Sequence, residues 1–198
     1  MTLEQPQNET RARILAEAEQ LFRHYGYGKT TMADIADACQ MSPANLYRFF
    51  TSKSALMEAI CTRMMAAAEE RLFDIVRMDR PAEERVQRFV AEIHRHTMEN
   101  LLDHKKVHEL VVVAMQEQWH AIKAHLDRVC SYLELIIRDG VKSGEFPAQN
   151  TSRAAKCAHS AIVTLCHPSV VAQKLEDEER ATPEEMAHFV ANALKAQR

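Results

Sequence analysis

Glycine and proline are scarce in this chain, four and six among 198 residues. Few positions can therefore break a helix, and hydrophobic residues at 46% suffice for a sizeable core. An all-α fold is expected. No apolar run approaches the roughly 18 residues that span a bilayer, and Met1 to Gln7 is polar, so neither a membrane helix nor a signal peptide is expected and the chain reads as cytoplasmic. Cysteine is limited to Cys39, Cys61, Cys130, Cys157 and Cys166, an odd, scattered set without a CxxC pair, which fits free thiols better than a disulfide frame. A glycine-rich phosphate loop, GxSxG and HExxH are all missing, and Ser, His and Asp occur without triad spacing, so neither an enzyme nor a cofactor is expected. Bulk positive charge is missing too. The net charge is −3, and residues 1 to 60 carry six basic against seven acidic side chains, so any affinity for phosphate must come from placement.

What is present is helical periodicity. Asn8 can cap a first helix whose stripe is Ile14, Leu15, Ala18, Leu21, Phe22 and Tyr25, with Gly26 ending it. Thr31 with Asp34 forms a capping box for a second helix with inner face Ile35, Ala36 and Cys39. After a turn at Gln40 and Met41, Ser42 caps a third helix with Pro43 at its first position; Leu46, Phe49 and Phe50 face inward and Ala44, Asn45, Tyr47 and Arg48 outward. Ser52 caps a fourth helix beginning at Lys53, a cation at the positive end of a helix dipole, where it costs stability but suits a phosphate. Helix, turn and helix packed this tightly predict a helix-turn-helix.

The fourth helix should run towards Met78. A fifth follows Pro81 with Val86, Phe89, Val90, Ile93, Thr97 and Leu101 on one side, and His104 to Gln118 reads as a buried helix, although its apolar run also suits a strand. Further helices are expected from Trp119 to Lys142, from Asn150 or Thr151 to an interruption at Pro168, and over Met186 to Leu194 after a charged loop, about nine in all. The expected division is a DNA-binding head over 1–52 and a larger body over 53–198.

The stretches LFRHYGY and TTMADIADACQMSPANLYRFFTSKSAL resemble the TetR/AcrR family of bacterial transcriptional regulators over about 50 residues. The resemblance implies a homodimer of all-α subunits, each with a DNA-binding head and a ligand-binding body. It implies phosphate contacts from Thr31, Tyr47 and Lys53, and a major-groove position for Pro43, Ala44, Asn45 and Arg48. Two positions depart from the family pattern, Gln40 and Ala44, where glycine is usual; a left-handed Gln40 costs about 1–2 kcal/mol, so a reshaped turn is expected, and the Ala44 methyl can meet a thymine methyl. Arg48 can pair with guanine and Asn45 with adenine. Lys29, and Arg11 or Arg13, could add phosphate contacts, against the plainer reading of solvated surface. Asp34 and Asp37 should face away from DNA.

For an effector, the expected partner is a small apolar or aromatic molecule between the body helices, near Met64, Phe89, Ile93, His94, Thr97, Met98, Trp119, Ile122 and Leu126, each of which also reads as core. Metal sensing is an alternative: His104 and His108 stand at i and i+4, with His94, His120, His125, His159 and His167 elsewhere, but no third ligand completes a motif. Redox sensing through the thiols is another, as is a protein-interaction scaffold that binds no DNA. Two copies should pair through Ala155, Ala158, Ile162, Phe189, Val190, Ala193 and Leu194 on the last two helices. The expected DNA is a double-stranded, near-palindromic operator, and the expected action repression relieved by the effector.

Overall fold

The structure, a computed structural model, describes residues 4–100, 104–117 and 119–196, with the side chains of 4, 5, 104, 105, 107, 108, 111 and 115 outside the description. Among the described residues the chain forms eleven helices and no strand: α1 (Glu4–Tyr25), α2 (Met32–Ala38), α3 (Pro43–Phe49), α4 (Lys53–Val76), α5 (Ala82–Glu99), α6 (His104–Gln116), α7 (His120–Ser143), α8 (Thr151–Ala161), α9 (Val163–Cys166), α10 (Pro168–Gln173) and α11 (Pro183–Lys195). The fold is all-α. The apolar run of α6 is helix, and Leu101 lies outside the described residues.

Three differences from the sequence expectation have local causes. Helix α1 starts at Glu4, before Asn8, because Pro6 falls in the first turn, where its missing N–H is no loss, and its carbonyl accepts from Thr10 Oγ1 at 2.8 Å. The helix expected to be interrupted at Pro168 is three helices, α8, α9 and α10, and the total among the described residues is therefore eleven and not nine. Its extra break is at Ile162, whose N–H is shared among three preceding carbonyls and whose side chain is buried together with Leu165. Finally, the charged loop before α11 contains a capping box: Thr182 accepts from the Glu185 amide, and the Glu185 carboxylate accepts from Thr182 N at 2.8 Å.

By packing, the chain divides into two compact units, Met1–Met64 with Lys105–Ala121, and Met65–His104 with Ile122–Arg198. The first unit thus takes in the first half of α4 and most of α6 besides the head. Its core is Ile14, Ala18, Phe22, Ile35, Leu46, Leu56 and Ile60, all essentially buried. In the second unit, α5 and α11 pack together most extensively. The core there joins Leu72, Val86, Phe89, Val90, Leu133, Ile136, Ile137, Phe146, Ile162 and Val190.

Gly140 of α7 lets the buried Phe146 ring pack directly on the helix backbone. A Cβ at this position would overlap that ring and come to 2.8 Å from the Ala82 Cβ. Gly140→Ala should therefore lower stability by about 1–3 kcal/mol in thermal or denaturant unfolding, although alanine is the better helix former. Gln40 has φ 53°, so the turn keeps the left-handed geometry and the side chain bears its cost; the expected reshaping does not occur. Gln40→Gly should raise stability by about 0.5–1 kcal/mol, read as a higher melting temperature, once the greater freedom of unfolded glycine is set against the 1–2 kcal/mol of strain.

Candidate nucleic-acid interface

The interface is built on helix ends. At the start of α2, Thr31 Oγ1 accepts from the Asp34 amide at 3.2 Å and Asp34 Oδ2 accepts from Thr31 N at 2.8 Å, closing the expected box. The bond from Thr31 N foremost, and then the Thr31 hydroxyl, which donates to Asp34 Oδ2 at 2.7 Å, hold the Asp34 carboxyl below its ordinary range. The left-handed Gln40 reverses the chain, and Met41 N returns to Ala36 O at 2.9 Å. Ser42 Oγ then accepts from Asn45 N at 3.2 Å, and Pro43 opens α3. Leu46 is fully buried and Phe50 nearly so, which turns Ser42, Pro43, Ala44, Tyr47 and Arg48 to solvent with Asn45 half-buried between them. One exposed helix face therefore carries Ala44, Asn45, Tyr47 and Arg48, and Thr31 and Lys29 are exposed at the start of α2. Ser52 Oγ caps α4 by accepting from Ala55 N at 3.0 Å.

The cations of the head divide into two sets. Lys53 does not stand open at the helix end: its Nζ donates to Tyr27 O at 2.9 Å and Thr30 O at 3.0 Å and lies 4.3 Å from the Tyr27 ring centroid. Burial lowers the Lys53 pKa, partly offset by the nearby Glu109 carboxylate. Lys53 thus spends two of its three donors on fixing the loop that presents Thr31. Arg11 likewise donates to Phe49 O at 3.2 Å and stacks on Phe50, and Arg13 donates to Cys39 O at 3.4 Å. Both cap C-terminal carbonyls of α3 and α2, where the helix dipole favours a cation. Lys29 and Arg48 remain exposed, with no acceptor or carboxylate bound to either among the described residues.

Helix α6 supports the same loop. Lys106 Nζ donates to Arg23 O at 2.9 Å at the end of α1, and Glu109 accepts from the Gly28 amide at 3.4 Å. Trp119 Nε1 donates to Ser54 Oγ at 3.3 Å in the first turn of α4. These supports were missed in the sequence because their partners lie far along the chain, and no spacing rule marks a lysine that will meet a backbone carbonyl.

The residues of the effector set are divided between the two units. Met64 and Trp119 belong to the first unit and the others to the second. Phe89 and Ile93 are core, Met98 and Leu126 are 37% and 41% exposed and Ile122 half-buried, and the Thr97 hydroxyl donates to Ile93 O at 3.0 Å. A cavity of about 180 Å³ in the second unit has His94 in its wall and none of the rest. Of the pairing set, Ala155, Ala158, Ile162, Val190 and Leu194 are buried in their own core; Phe189, 64% exposed, and Ala193 face solvent. The stripes on α8 and α11 are real but point inward, since the strongest apolar face of each helix meets its own chain first. The side chains of His104 and His108 lie outside the described residues, among which no cluster of three metal-binding side chains occurs. Burial pushes the Cys61 thiol up to about 12 and Cys166 up to about 11, away from the low pKa a redox sensor needs. No helix among the described residues is long and apolar enough to cross a membrane.

Residues 14–60 match the family model described as bacterial regulatory proteins of the tetR family, and residues 82–187, more than half the chain, match the tetracyclin repressor-like C-terminal domain. The chain is 27% identical over 139 residues to the uncharacterized HTH-type transcriptional regulator YhgD of Bacillus subtilis, covering 66% of this chain and 69% of that protein. It is 43% identical to the HTH-type transcriptional regulator UidR of Escherichia coli over 51 residues, 26% of each chain. Among solved structures, a TetR/AcrR family regulator from Thermobifida fusca superposes with a TM-score of 0.71 at 21% identity, covering 94% of this chain and 96% of that one. FadR of Bacillus subtilis, solved in complex with stearoyl-CoA, does so with a TM-score of 0.64 at 15% identity, covering 93% and 97%. With the helix-turn-helix of α2 and α3 and a matched body behind it, the chain belongs to the TetR family of DNA-binding transcriptional regulators.

Proposed function

We propose that this regulator is a cytoplasmic repressor that binds a near-palindromic operator as a homodimer and is released by a small effector held in its body. The observation that carries the DNA half is the exposed face of α3, where Ala44, Asn45, Tyr47 and Arg48 stand clear of the core beside a loop tied down by Lys53 and Glu109. In this reading Arg48 and Asn45 meet base edges, Pro43 and Ala44 pack against the groove, and Thr31, Ser42, Tyr47 and Lys29 hold phosphates. The head over 1–52 reads the DNA. The body over 53–198 senses and pairs, through the outward sides of α8 and α11, where Phe189 and Ala193 are exposed. A twofold dimer then asks for half-sites about one helical turn apart or somewhat more. Release by the effector requires that it bind one spacing of the heads better than the other. A band-shift titration with the DNA upstream of the chain's own gene, with and without candidate effectors, tests the whole account; a scaffold would shift no DNA.

Arg48→Ala should weaken operator binding by about 1–3 kcal/mol and relax base preference at one position, read by competition with single-substituted operators. An unaltered preference removes Arg48 from the reading set. The two lysines should behave differently. Lys29→Ala should weaken binding to all sequences and reduce the slope of log affinity against log salt by about 0.9, the loss of one phosphate contact. Lys53→Met should lower the stability of the head while leaving that slope unchanged. A reduced slope in Lys53→Met would return this lysine to the phosphate contacts.

A further inference from the structure

The cavity of the second unit lies among α5, α9, α10, α11 and the segment joining the last two. Leu165, Val171 and Met186 give it an apolar wall, and the exposed Lys174 and the half-buried Arg180 are the two basic residues that line it. No acidic side chain lines it. Glu176, Asp177, Glu178 and Glu179 stand exposed in the same segment, yet among the described residues none of them pairs with Lys174 or Arg180. Arg180 spends Nη1 on Lys174 O at 3.1 Å, which closes the segment into a rim and leaves the rest of the guanidinium for another acceptor. His94 Nδ1 lies 3.1 Å from Leu165 O. A carbonyl only accepts, so Nδ1 carries the proton and Nε2 is the ring nitrogen left for the cavity.

We propose that this cavity binds a small organic monoanion: an apolar body of about one ring bearing a single carboxylate. Two cations without acidic partners, set against apolar side chains, supply what such a molecule needs, charge-assisted bonds at one end and a dry wall at the other. At about 180 Å³ the space admits a benzoate-sized molecule. The acidic run from Glu176 to Glu179 opposes a second negative charge, so dianions are disfavoured. Arg180 and Lys174 hold the carboxylate, Leu165, Val171 and Met186 take the ring, and His94 Nε2 accepts from a ring hydroxyl where there is one.

The proposal rests on the effector reading only in taking the occupant as a signal; the site itself is tested on the full-length protein without DNA. Isothermal titration calorimetry with benzoate should show one site per chain. Benzyl alcohol, alike in shape but uncharged, and phthalate, the dianion, should each bind at least about tenfold more weakly. Arg180→Gln and Lys174→Gln should each weaken benzoate about tenfold, and Ala181→Trp, at an exposed position on the cavity wall, should abolish binding, with helical circular dichroism retained. Absent benzoate heat, equal binding of benzyl alcohol, or full affinity in both glutamine variants would overturn the site. A band shift insensitive to benzoate, with the calorimetry intact, would instead overturn its role as a signal and leave the site standing.

Discussion

Helix C-termini in this protein end in carbonyls that distant cations satisfy, and the presentation of the DNA-reading face depends on that. The last turn of a helix leaves acceptors without internal partners, and the dipole concentrates negative potential there. Arg13 answers this at Cys39 of α2, Arg11 at Phe49 of α3, Lys106 at Arg23 of α1, and Arg85 at Val76 of α4 with a 2.8 Å bond. Lys53 does the same for the loop between α1 and α2. Charge-assisted bonds of this kind are worth about 1.5–3 kcal/mol each, towards the lower end where the side chain is part-exposed. A short helix such as α2 or α3 has little stability of its own, so such ties matter more to it than to a long one.

This use of cations explains how a DNA-binding head can carry no net positive charge. Most of its basic side chains are tied to internal partners, and Lys29 and Arg48 are the basic residues of the head left exposed without one among the described residues. Binding of that kind places weight on geometry. The packing of residues 105–121 with the first unit follows the same logic, because Lys106, Glu109 and Trp119 brace the α1–α2 loop and the first turn of α4 from a segment that the sequence order assigns to the body.

In the second unit the competing demands are core and surface. Phe89, Ile93, Ala155, Ile162 and Val190 carry the periodicity from which a pocket or an interface would be expected, and the chain's own core claims them. What remains outward is the less conspicuous side of each helix. Phe189 is the most exposed of the large apolar side chains among the described residues. The cavity beside α10 comes from the break at Pro168 and the capped start of α11, not from any apolar stripe.

Local chemistry made the head legible. The Thr31–Asp34 box, Ser42 followed by Pro43, and the inward Leu46 with the outward Arg48 are each decided within a few residues, and the structure reproduces them. The left-handed turn at Gln40 is a case where neighbouring elements overrode a local preference, because packing α2 against α3 outweighs a strain of about 1–2 kcal/mol. Periodicity likewise determined the all-α class and most helix spans. What only the tertiary structure decided is where long side chains spend their hydrogen bonds and which way each stripe faces. On a linear chain Lys53 suits a phosphate, and Arg11 or Arg13 suits either a phosphate or solvent, because a free cation and one bonded to a carbonyl 23 to 38 residues away look the same there. A stripe shows that a helix must bury one face, but the partner that buries it is a property of the fold.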